Sequence, residues 1–245
     1  MPRLARIDRH PIKSLGVESV ERARLSPGAT LPWDRVWALA HEAAKLTGGW
    51  VPCANFIRVT KSPRLMAITA RTDEDTGRIT LTHPDRPQIT VDPDTDSDAL
   101  VDWVRPLTDA ARAAPSHIVR AGVGMTDSPY PSISVLNSAS LAALSGRAGK
   151  PLNPRRFRGN LLLDGAAPWA EFDWIGRTLR IGEAELEVRE RITRCLATHV
   201  DPETGARDTD VLGTLRGGWD HADFGVYAVV TRGGVIARGD EVNLS

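Results

Sequence analysis

The segment that decides the fold of this chain covers residues 189–205 and reads RERITRCLATHVDPETG. Its basic first part predicts a strand that ends near Cys195. Its last five residues have the composition of a tight turn, because proline fixes φ and Gly205 supplies a positive φ. The carboxylates here also allow a calcium or acid/base site, although the turn is the simpler interpretation; they are Asp201, Glu203, Asp208 and Asp210.

Short, turn-bounded strands surround this segment in the second half of the chain. We predict them over residues 160–164, 178–181, 185–191, 225–231 and 235–237. A helix is predicted over Ser138–Ser145, with Gly146 as the residue that ends it. This succession is typical of a closed or nearly closed antiparallel barrel.

The first half of the chain also has the pattern of β structure. Its apolar residues occur with period two or in short runs. We predict strands over residues 4–7, 17–25, 35–40, 64–70, 79–81, 89–91 and 117–119, with turn signals between them that include Gly48-Gly49. One amphipathic helix is expected over Asp96–Leu107.

These patterns predict a mainly β fold with a few helices and two units. The glycine- and proline-rich stretch over residues 121–131 indicates a connection between them. We place a small β-barrel-like unit at residues 1–120 and a second β-barrel at residues 121–245.

The composition excludes several classes of function. The 245 residues are 41% hydrophobic and 25% charged, as in an ordinary globular protein. The 31 basic residues balance the 31 acidic ones, so no global field attracts nucleic acid or an anionic membrane. No apolar stretch reaches the roughly 18 residues of a membrane span, and the N-terminus lacks a signal-like apolar region. We expect a cytoplasmic protein with no nucleic-acid or membrane partner.

Cys195 is the most informative residue of the sequence. The arginines that precede it within residues 189–194 stabilise a thiolate over a thiol, and a thiolate is the ligand that soft metals prefer. Two other interpretations stay open, a small buried hydrophobe or a zinc ligand together with His199. The second cysteine, Cys53, is most simply a packed or loop residue, with a minor redox role left open.

Ordered motifs along nearly the whole chain resemble those of the MOSC family, named after the C-terminus of molybdenum cofactor sulfurase. The motifs of the second half are RRFRGNL at 155–161, the segment 193–205, GVYA at 225–228 and GGVIARGD at 233–240. In the first half, PIKSL at 11–15 and DRVW at 34–37 resemble the family's N-terminal β-barrel domain. Bacterial MOSC proteins and the mitochondrial amidoxime-reducing component share this arrangement. The resemblance implies a MOSC N-terminal β-barrel domain followed by a MOSC β-barrel.

The resemblance implies a molybdenum cofactor, with a mononuclear molybdenum held by a pyranopterin dithiolene and by the thiolate of Cys195. Lys13, Ser14 and Arg35 match the positions that hold the cofactor's phosphate, and an ammonium, a hydroxyl and a guanidinium suit that role.

Four further residues complete the implied site. Arg158 and Asn160 match positions that line the pterin. Thr193 and Arg194 are implied as catalytic neighbours of Cys195, and Thr193 also as a cofactor contact. The hydroxyl of Thr193 stands where close relatives have a serine.

The first function implied by the resemblance is a molybdenum-dependent oxidoreductase that reduces N-hydroxylated small molecules. No flavin- or haem-binding motif is visible, so the electrons would come from a separate reductase or a small electron carrier. Residues 51–55 replace a Thr-x-Arg element of the amidoxime-reducing relatives, so chemistry on the substrate side is expected to differ.

Two alternatives belong to other classes. One is a molybdenum-cofactor carrier or sulfur-relay module in which Cys195 bears a persulfide, with pyridoxal phosphate only in a separate desulfurase. The other is a β-barrel with a vestigial metal site. We favour reduction over relay, because a relay cysteine must be exposed, whereas a position between a strand and an Asp-Pro turn suits a fixed ligand.

Overall fold

The computed structural model describes residues 1–47 and 51–245, and the turn expected at Gly48-Gly49 lies outside them. The strands are β1 Arg3–Arg9, β2 Ile12–Lys13, β3 Glu18–Val20, β4 Arg22–Leu25, β5 Trp37–His41, β6 Thr69–Thr72, β7 Ile79–His83, β8 Arg86–Val91, β9 Pro115–Arg120, β10 Ile133–Asn137, β11 Leu161–Asp164, β12 Thr178–Ile181, β13 Ala184–Thr193, β14 Asp223–Arg232, β15 Gly234–Ala237 and β16 Val242–Leu244. The α-helices are α1 Ser97–Val104, α2 Ser138–Ala148 and α3 Val211–Trp219. Short 3-10 helices cover Cys53–Asn55, Pro63–Ala67, Arg105–Leu107, Pro154–Phe157, Ala170–Trp174 and Leu196–His199. The expected mainly β fold with a few helices is confirmed.

The main body is an eight-stranded sheet with the order β16-β12-β13-β14-β10-β11-β1-β3. Its ends approach each other, because Arg3 forms an isolated bridge with Glu241 and the amide of Val242 donates to the carbonyl of Pro2. The sheet is therefore barrel-like without a continuous closing ladder.

One pair of strands departs from the expected antiparallel pattern. β10 and β11 run parallel, whereas the other neighbours in this sheet are antiparallel. Parallel strands need a long crossover connection, and helix α2 with the segment that follows it supplies one here. This crossover carries the 155–161 motif from the helix back to the sheet.

The first 120 residues form a second β unit that interlocks with the main sheet. Its two three-stranded sheets have the orders β2-β5-β9 and β6-β7-β8, and α1 packs against β8 and β9. Strand β1 nevertheless pairs with β11, and β4 pairs with β15. The boundary after residue 120 stays a prediction, since strands from this part complete the other unit.

Alternation of apolar residues explains the central strand β14. Phe224, Val226, Ala228 and Val230 are all buried on one face, as a period of two requires. Gly225 lies between the first two with φ 74°, and a Cβ there would lie 2.6 Å from the carbonyl oxygen of Val135. Only glycine combines that dihedral with so close a neighbouring strand.

Three local expectations are wrong. The strand expected over residues 64–70 is instead a 3-10 helix up to Ala67, and β6 begins only at Thr69. Helix α2 continues past Gly146, because Gly149 is the residue that takes the left-handed conformation, with φ 71°. The strand expected over residues 17–25 is divided into β3 and β4, which pair with different partners.

We predict that Leu161→Ala lowers the free energy of unfolding by about 2–5 kcal/mol, because Leu161 is fully buried in the centre of the sheet. It pairs with Ile7 on one side and with Val135 on the other, so the cavity cannot close easily. Urea unfolding measures the change. Ile175→Ala is the control, since Ile175 is 43% exposed and should cost under about 0.5 kcal/mol. Equal midpoints for the two variants would contradict this account of the core.

Candidate functional site

The structure brings all of the predicted site residues to one pocket of about 300 Å³. The pocket lies where strand β2, the 155–161 segment and the end of β13 meet. The predicted residues that line it are Lys13, Ser14, Arg35, Arg158, Asn160, Thr193, Arg194 and Cys195.

Three of these residues have an unusual backbone conformation. Ser14, Arg35 and Arg158 have φ values of 66°, 55° and 49°, in the left-handed region that non-glycine residues rarely occupy. Such conformations cost on the order of 1–3 kcal/mol each and cluster at functional sites. Three separate segments therefore place residues of this unusual conformation around one pocket.

The buried carboxylate of Asp34 organises one side of the pocket. It forms an ion pair with the Arg35 guanidinium and accepts a 2.8 Å hydrogen bond from the backbone amide of His10. Although burial opposes ionisation, the charge of Arg35 and the bonds from His10 hold the pKa of the Asp34 carboxyl well below its usual range. Arg35 then donates from Nη2 to the carbonyl oxygen of Arg158, at 2.9 Å, so the two site arginines are positioned together.

The ammonium group of Lys13 forms an ion pair with a carboxylate of the protein itself, that of Asp127. Its Nζ donates to Asp127 Oδ1 at 2.7 Å and to the carbonyl oxygen of Met125 at 2.8 Å. Although desolvation opposes it, the charges of Lys13 and Arg35 lower the pKa of the Asp127 carboxyl. An anionic ligand at Lys13 must therefore share this ammonium with Asp127 or displace the carboxylate.

Two half-buried guanidinium groups, those of Arg158 and Arg194, form no ion pair within the described residues. Arg158 Nη2 is buried and has no hydrogen-bond partner within the described part of the chain. Burial and the nearby charge of Arg35 lower the pKa of Arg158 to about 9, and burial lowers that of Arg194 to about 10. Both remain cations at neutral pH. A partly buried cation without a counter-charge is costly, so these groups favour an anionic ligand.

The polar atoms of Asn160 and Thr193 are largely engaged within the protein. Asn160 Oδ1 accepts from the backbone amide and the hydroxyl of Ser134, and its Nδ2 donates to the carbonyl oxygen of Asp8. The Thr193 hydroxyl donates to Asp223 at 2.7 Å. These contacts join the segments around the pocket. The Asn160 amide and the Thr193 hydroxyl, which the family resemblance assigns to the cofactor, thus already donate to groups of the protein.

Cys195 lines the pocket and is a free, exposed cysteine. Its carbonyl oxygen accepts from the amide of Thr198 at 3.1 Å and from the hydroxyl of Thr198 at 2.9 Å, which fixes the backbone at the start of a 3-10 helix. The sequence favoured a fixed ligand over a sulfur relay because a relay cysteine must be exposed. Cys195 is exposed, so that reason against a relay does not hold.

Only one of the arginines before Cys195 lines the pocket. Arg194 donates from Nε to the carbonyl oxygen of Phe224 at 2.7 Å and from Nη1 to that of Phe157 at 2.9 Å. Arg189 pairs with Glu187, and Arg191 lies over the ring of Phe172. Of the three arginines that the sequence placed before Cys195, Arg194 is therefore the one that lies at the pocket.

The suggested zinc pair of Cys195 and His199 receives no support. His199 Nε2 lies 3.2 Å from the backbone amide of Leu212. Within residues 1–47 and 51–245, no group of three or more His, Cys, Asp or Glu side chains is arranged to hold a metal ion. A metal here would need ligands from a cofactor as well as from the protein.

The acidic segment after Cys195 is a turn that supports a buried arginine. Asp201 Oδ1 accepts from the amides of Glu203 and Thr204, and Gly205 has φ 68°, which confirms the turn. Arg156, only 1% exposed, donates to Asp208 at 3.1 Å. These carboxylates therefore stabilise the base of the pocket.

Sequence reasoning missed several residues that line the pocket. They are Cys53, Arg58, Asp127, Arg156 and Tyr227. Arg156 and Tyr227 lie inside the quoted motifs, so the motifs contained a signal for them. Asp127 and Arg58 lie outside the helices and strands, and Cys53 begins a 3-10 helix of three residues, so no sequence periodicity predicts where these side chains point.

Two family models match the chain. The MOSC N-terminal beta barrel domain matches residues 1–115, and the MOSC domain matches residues 125–243. The chain therefore belongs to the MOSC family, with both domains present in that order.

The curated relatives that are similar to this chain share one region with it. The human mitochondrial amidoxime-reducing component 1 is 34% identical over 123 residues, which cover 45% of this chain and 36% of that protein. The molybdenum cofactor sulfurase of Caenorhabditis elegans is 32% identical over 131 residues, which cover 49% of this chain and 17% of that protein. The matched region thus spans about a third or less of these relatives.

Among solved structures, the chain is similar to the YUAD protein from Bacillus subtilis, with a TM-score of 0.48 and 11% identity over 100% of this chain and 96% of that one.

Among the described residues, no helix has the length and apolar character needed to cross a membrane.

We predict that His10→Asn flattens the pH dependence of stability. Burial and the charge of Arg158 lower the pKa of His10 from 6.5 to about 3, so the unfolded state takes up a proton first as the pH falls. The contribution of neutral His10 is complete above about pH 6.5 and is lost between that pH and about 3. Asparagine keeps a donor toward Asp34 but does not titrate.

Urea unfolding between pH 7.5 and 4.5 measures this effect. Below pH 6.5, the free energy of unfolding of the wild type should fall more steeply than that of the variant, by up to about 1.4 kcal/mol per pH unit. The exposed His117 provides the control His117→Asn. Parallel curves for wild type and His10→Asn would show that His10 is not held neutral.

Proposed function

We propose that this chain binds the molybdenum cofactor in the pocket and reduces N-hydroxylated small molecules. The observation that carries the proposal is that the exposed Cys195 shares a pocket with Arg158, whose buried Nη2 has no hydrogen-bond partner within the described residues. The names of its relatives, an amidoxime-reducing component and a molybdenum cofactor sulfurase, support the same cofactor.

The residues present fit such a cofactor. A phosphate suits the ammonium of Lys13, the hydroxyl of Ser14 and the guanidinium of Arg35. It would share Lys13 with Asp127 and Arg35 with Asp34. The unpartnered Nη2 of Arg158 suits an acceptor on the pterin. A thiolate at Cys195 would be the protein ligand to the metal.

When bound, the cofactor would supply the two-electron redox chemistry that reduction of an N–O bond requires. The overall reaction on a hydroxylamine consumes two electrons and two protons, breaks the N–O bond and forms an amine and water. The protein orients the reactants and places fixed cations beside the leaving oxygen. Arg194 suits this last role, because two backbone carbonyls hold its guanidinium beside Cys195. A separate reductase or a small electron carrier would deliver the electrons.

A second candidate is a cofactor carrier or sulfur relay in which Cys195 bears a persulfide. The exposure of the thiol favours it, as does the similarity to a molybdenum cofactor sulfurase. Pyridoxal phosphate would then belong to a separate desulfurase. We prefer reduction, since the fixed backbone at Cys195 and the cations around it suit a stationary ligand better than a mobile carrier.

We predict that Cys195→Ala, expressed in a host that makes the cofactor, loses most of its molybdenum, because alanine offers no ligand. Metal analysis and electron paramagnetic resonance measure the loss. Leu196→Ala is the matched control, since Leu196 is the exposed neighbour. Wild-type molybdenum content with an unchanged spectrum in Cys195→Ala would remove Cys195 from the site.

Turnover tests the function itself. Molybdenum-loaded wild type, supplied with a chemical or enzymatic electron source, should reduce members of a panel of hydroxylamines and amidoximes, and Cys195→Ser should not. No turnover across the panel, together with a persulfide on Cys195 by mass spectrometry, would favour the relay instead.

We also predict that Lys13→Ala and Arg35→Ala weaken cofactor binding by roughly 1.5 to 3 kcal/mol each, as expected for charge-assisted contacts to a phosphate. Pterin content of the folded variants measures the effect, and Arg180→Ala on the exposed side of β12 is the control. Because Arg35→Ala also deprives Asp34 of its counter-charge, Arg35→Lys is measured beside it. Full occupancy in all of the Lys13 and Arg35 variants would exclude both residues.

A further inference from the structure

One cation in the pocket is used neither by the fold nor by the proposed cofactor site. Arg58 follows the 3-10 helix Cys53–Asn55 and lines the same pocket as Cys195. It is half-buried, and the contact recorded for its guanidinium runs from Nη1 to the sulfur of Cys53, at 3.7 Å. A thiol is a weak acceptor, so this contact leaves most of the guanidinium's donors for another partner.

Charge pairing distinguishes Arg58 from other cations of the pocket. Lys13 pairs with Asp127, and Arg156 pairs with Asp208. In contrast, the Arg58 guanidinium forms no ion pair with a carboxylate of the described chain, where its contact is with the sulfur of Cys53, and residues 48–50, which read GGW, contain no acid. The pocket thus keeps a cation without a counter-ion in a partly desolvated position.

The packing around Arg58 places it beside the residues that follow Cys195. Its neighbour Val59 is buried in the same apolar cluster as Val200, and Ala197 packs against that cluster. Arg207 also donates to the carbonyl oxygen of Thr60 at 2.8 Å, which joins the two segments. Arg58 therefore lies on the side of the pocket formed with the residues that follow Cys195. Lys13 and Arg35, proposed to hold the phosphate, contact the 125–127 segment instead.

We propose that Arg58 recognises a carboxylate on the substrate, so that the enzyme prefers N-hydroxylated compounds that carry one. A guanidinium binds a carboxylate through two parallel N–H···O bonds, which give the contact both strength and direction. Val59 and Phe157 also line the pocket, and these apolar side chains suit a ring between the carboxylate and the N-hydroxylated group. This inference rests on the proposed function, because it names the substrate class of that site.

The experiment compares meta- and para-carboxybenzamidoxime with their methyl esters, using molybdenum-loaded wild type, Arg58→Gln and Arg58→Lys. We expect wild type to prefer the carboxylates in kcat/KM, and the ratio of carboxylate to ester to fall about tenfold in Arg58→Gln. Lysine should restore part of the preference through its charge. Arg180→Gln, which removes the same charge from an exposed strand, should leave the ratio as in wild type.

A binding measurement separates this inference from the proposed function. Isothermal titration of the loaded protein with carboxybenzamidine should show affinity that falls about tenfold in Arg58→Gln. Binding that depends on Arg58 without any turnover would overturn the proposed reaction but support anion recognition. Equal carboxylate-to-ester ratios in wild type and Arg58→Gln would overturn the role of Arg58. Loss of molybdenum and pterin in Arg58→Gln with an unchanged ratio would also overturn it, and would make Arg58 a cofactor contact.

Discussion

The ion pair between Asp34 and Arg35 is the interaction on which the charged side of the pocket depends. Asp34 is fully buried, so its negative charge is retained only because Arg35 and the amide of His10 stabilise it. Arg35 in turn holds the backbone of Arg158. Removing either partner would leave an uncompensated charge in the interior, which is far more costly than losing a surface ion pair.

The balance of charge in this pocket is the physical basis for proposing an anionic ligand. Lysine and arginine side chains from both domains converge there, while the carboxylates that reach it are committed to Lys13, Arg35 and Arg156. The left-handed conformations of Ser14, Arg35 and Arg158 add a conformational cost. A negatively charged ligand would compensate the positive charge of the pocket, and its binding energy would offset the conformational cost.

The interlocking of the two domains fits this arrangement. Strand β1 completes the sheet of the MOSC domain, and the residues that follow it in sequence carry Lys13 and Ser14 to the pocket. The end of β13 brings Arg194 and Cys195 to the same place from the other domain. Because neither domain alone holds all of these residues, the site depends on the contact between them.

The sequence by itself determined the fold class, most strands of the second half and the residues of the pocket that belong to motifs. Alternation in β14 and the turn at 201–205 are local effects, which is why they could be inferred from neighbouring residues. The run from Pro63 to Ala67 was less informative, because a short buried apolar run has no periodicity that separates a strand from a 3-10 helix.

Only the tertiary structure decided which charges are compensated. Asp127 contacts Lys13 across more than a hundred residues of sequence, and the Asn160 amide is engaged by Ser134 and Asp8. Arg58 is left without a carboxylate for the same reason, since pairing depends on distances between segments that are remote in the chain. Residue types therefore revealed the chemistry available to this pocket, whereas the packing of the two domains determined which groups remain available to a ligand.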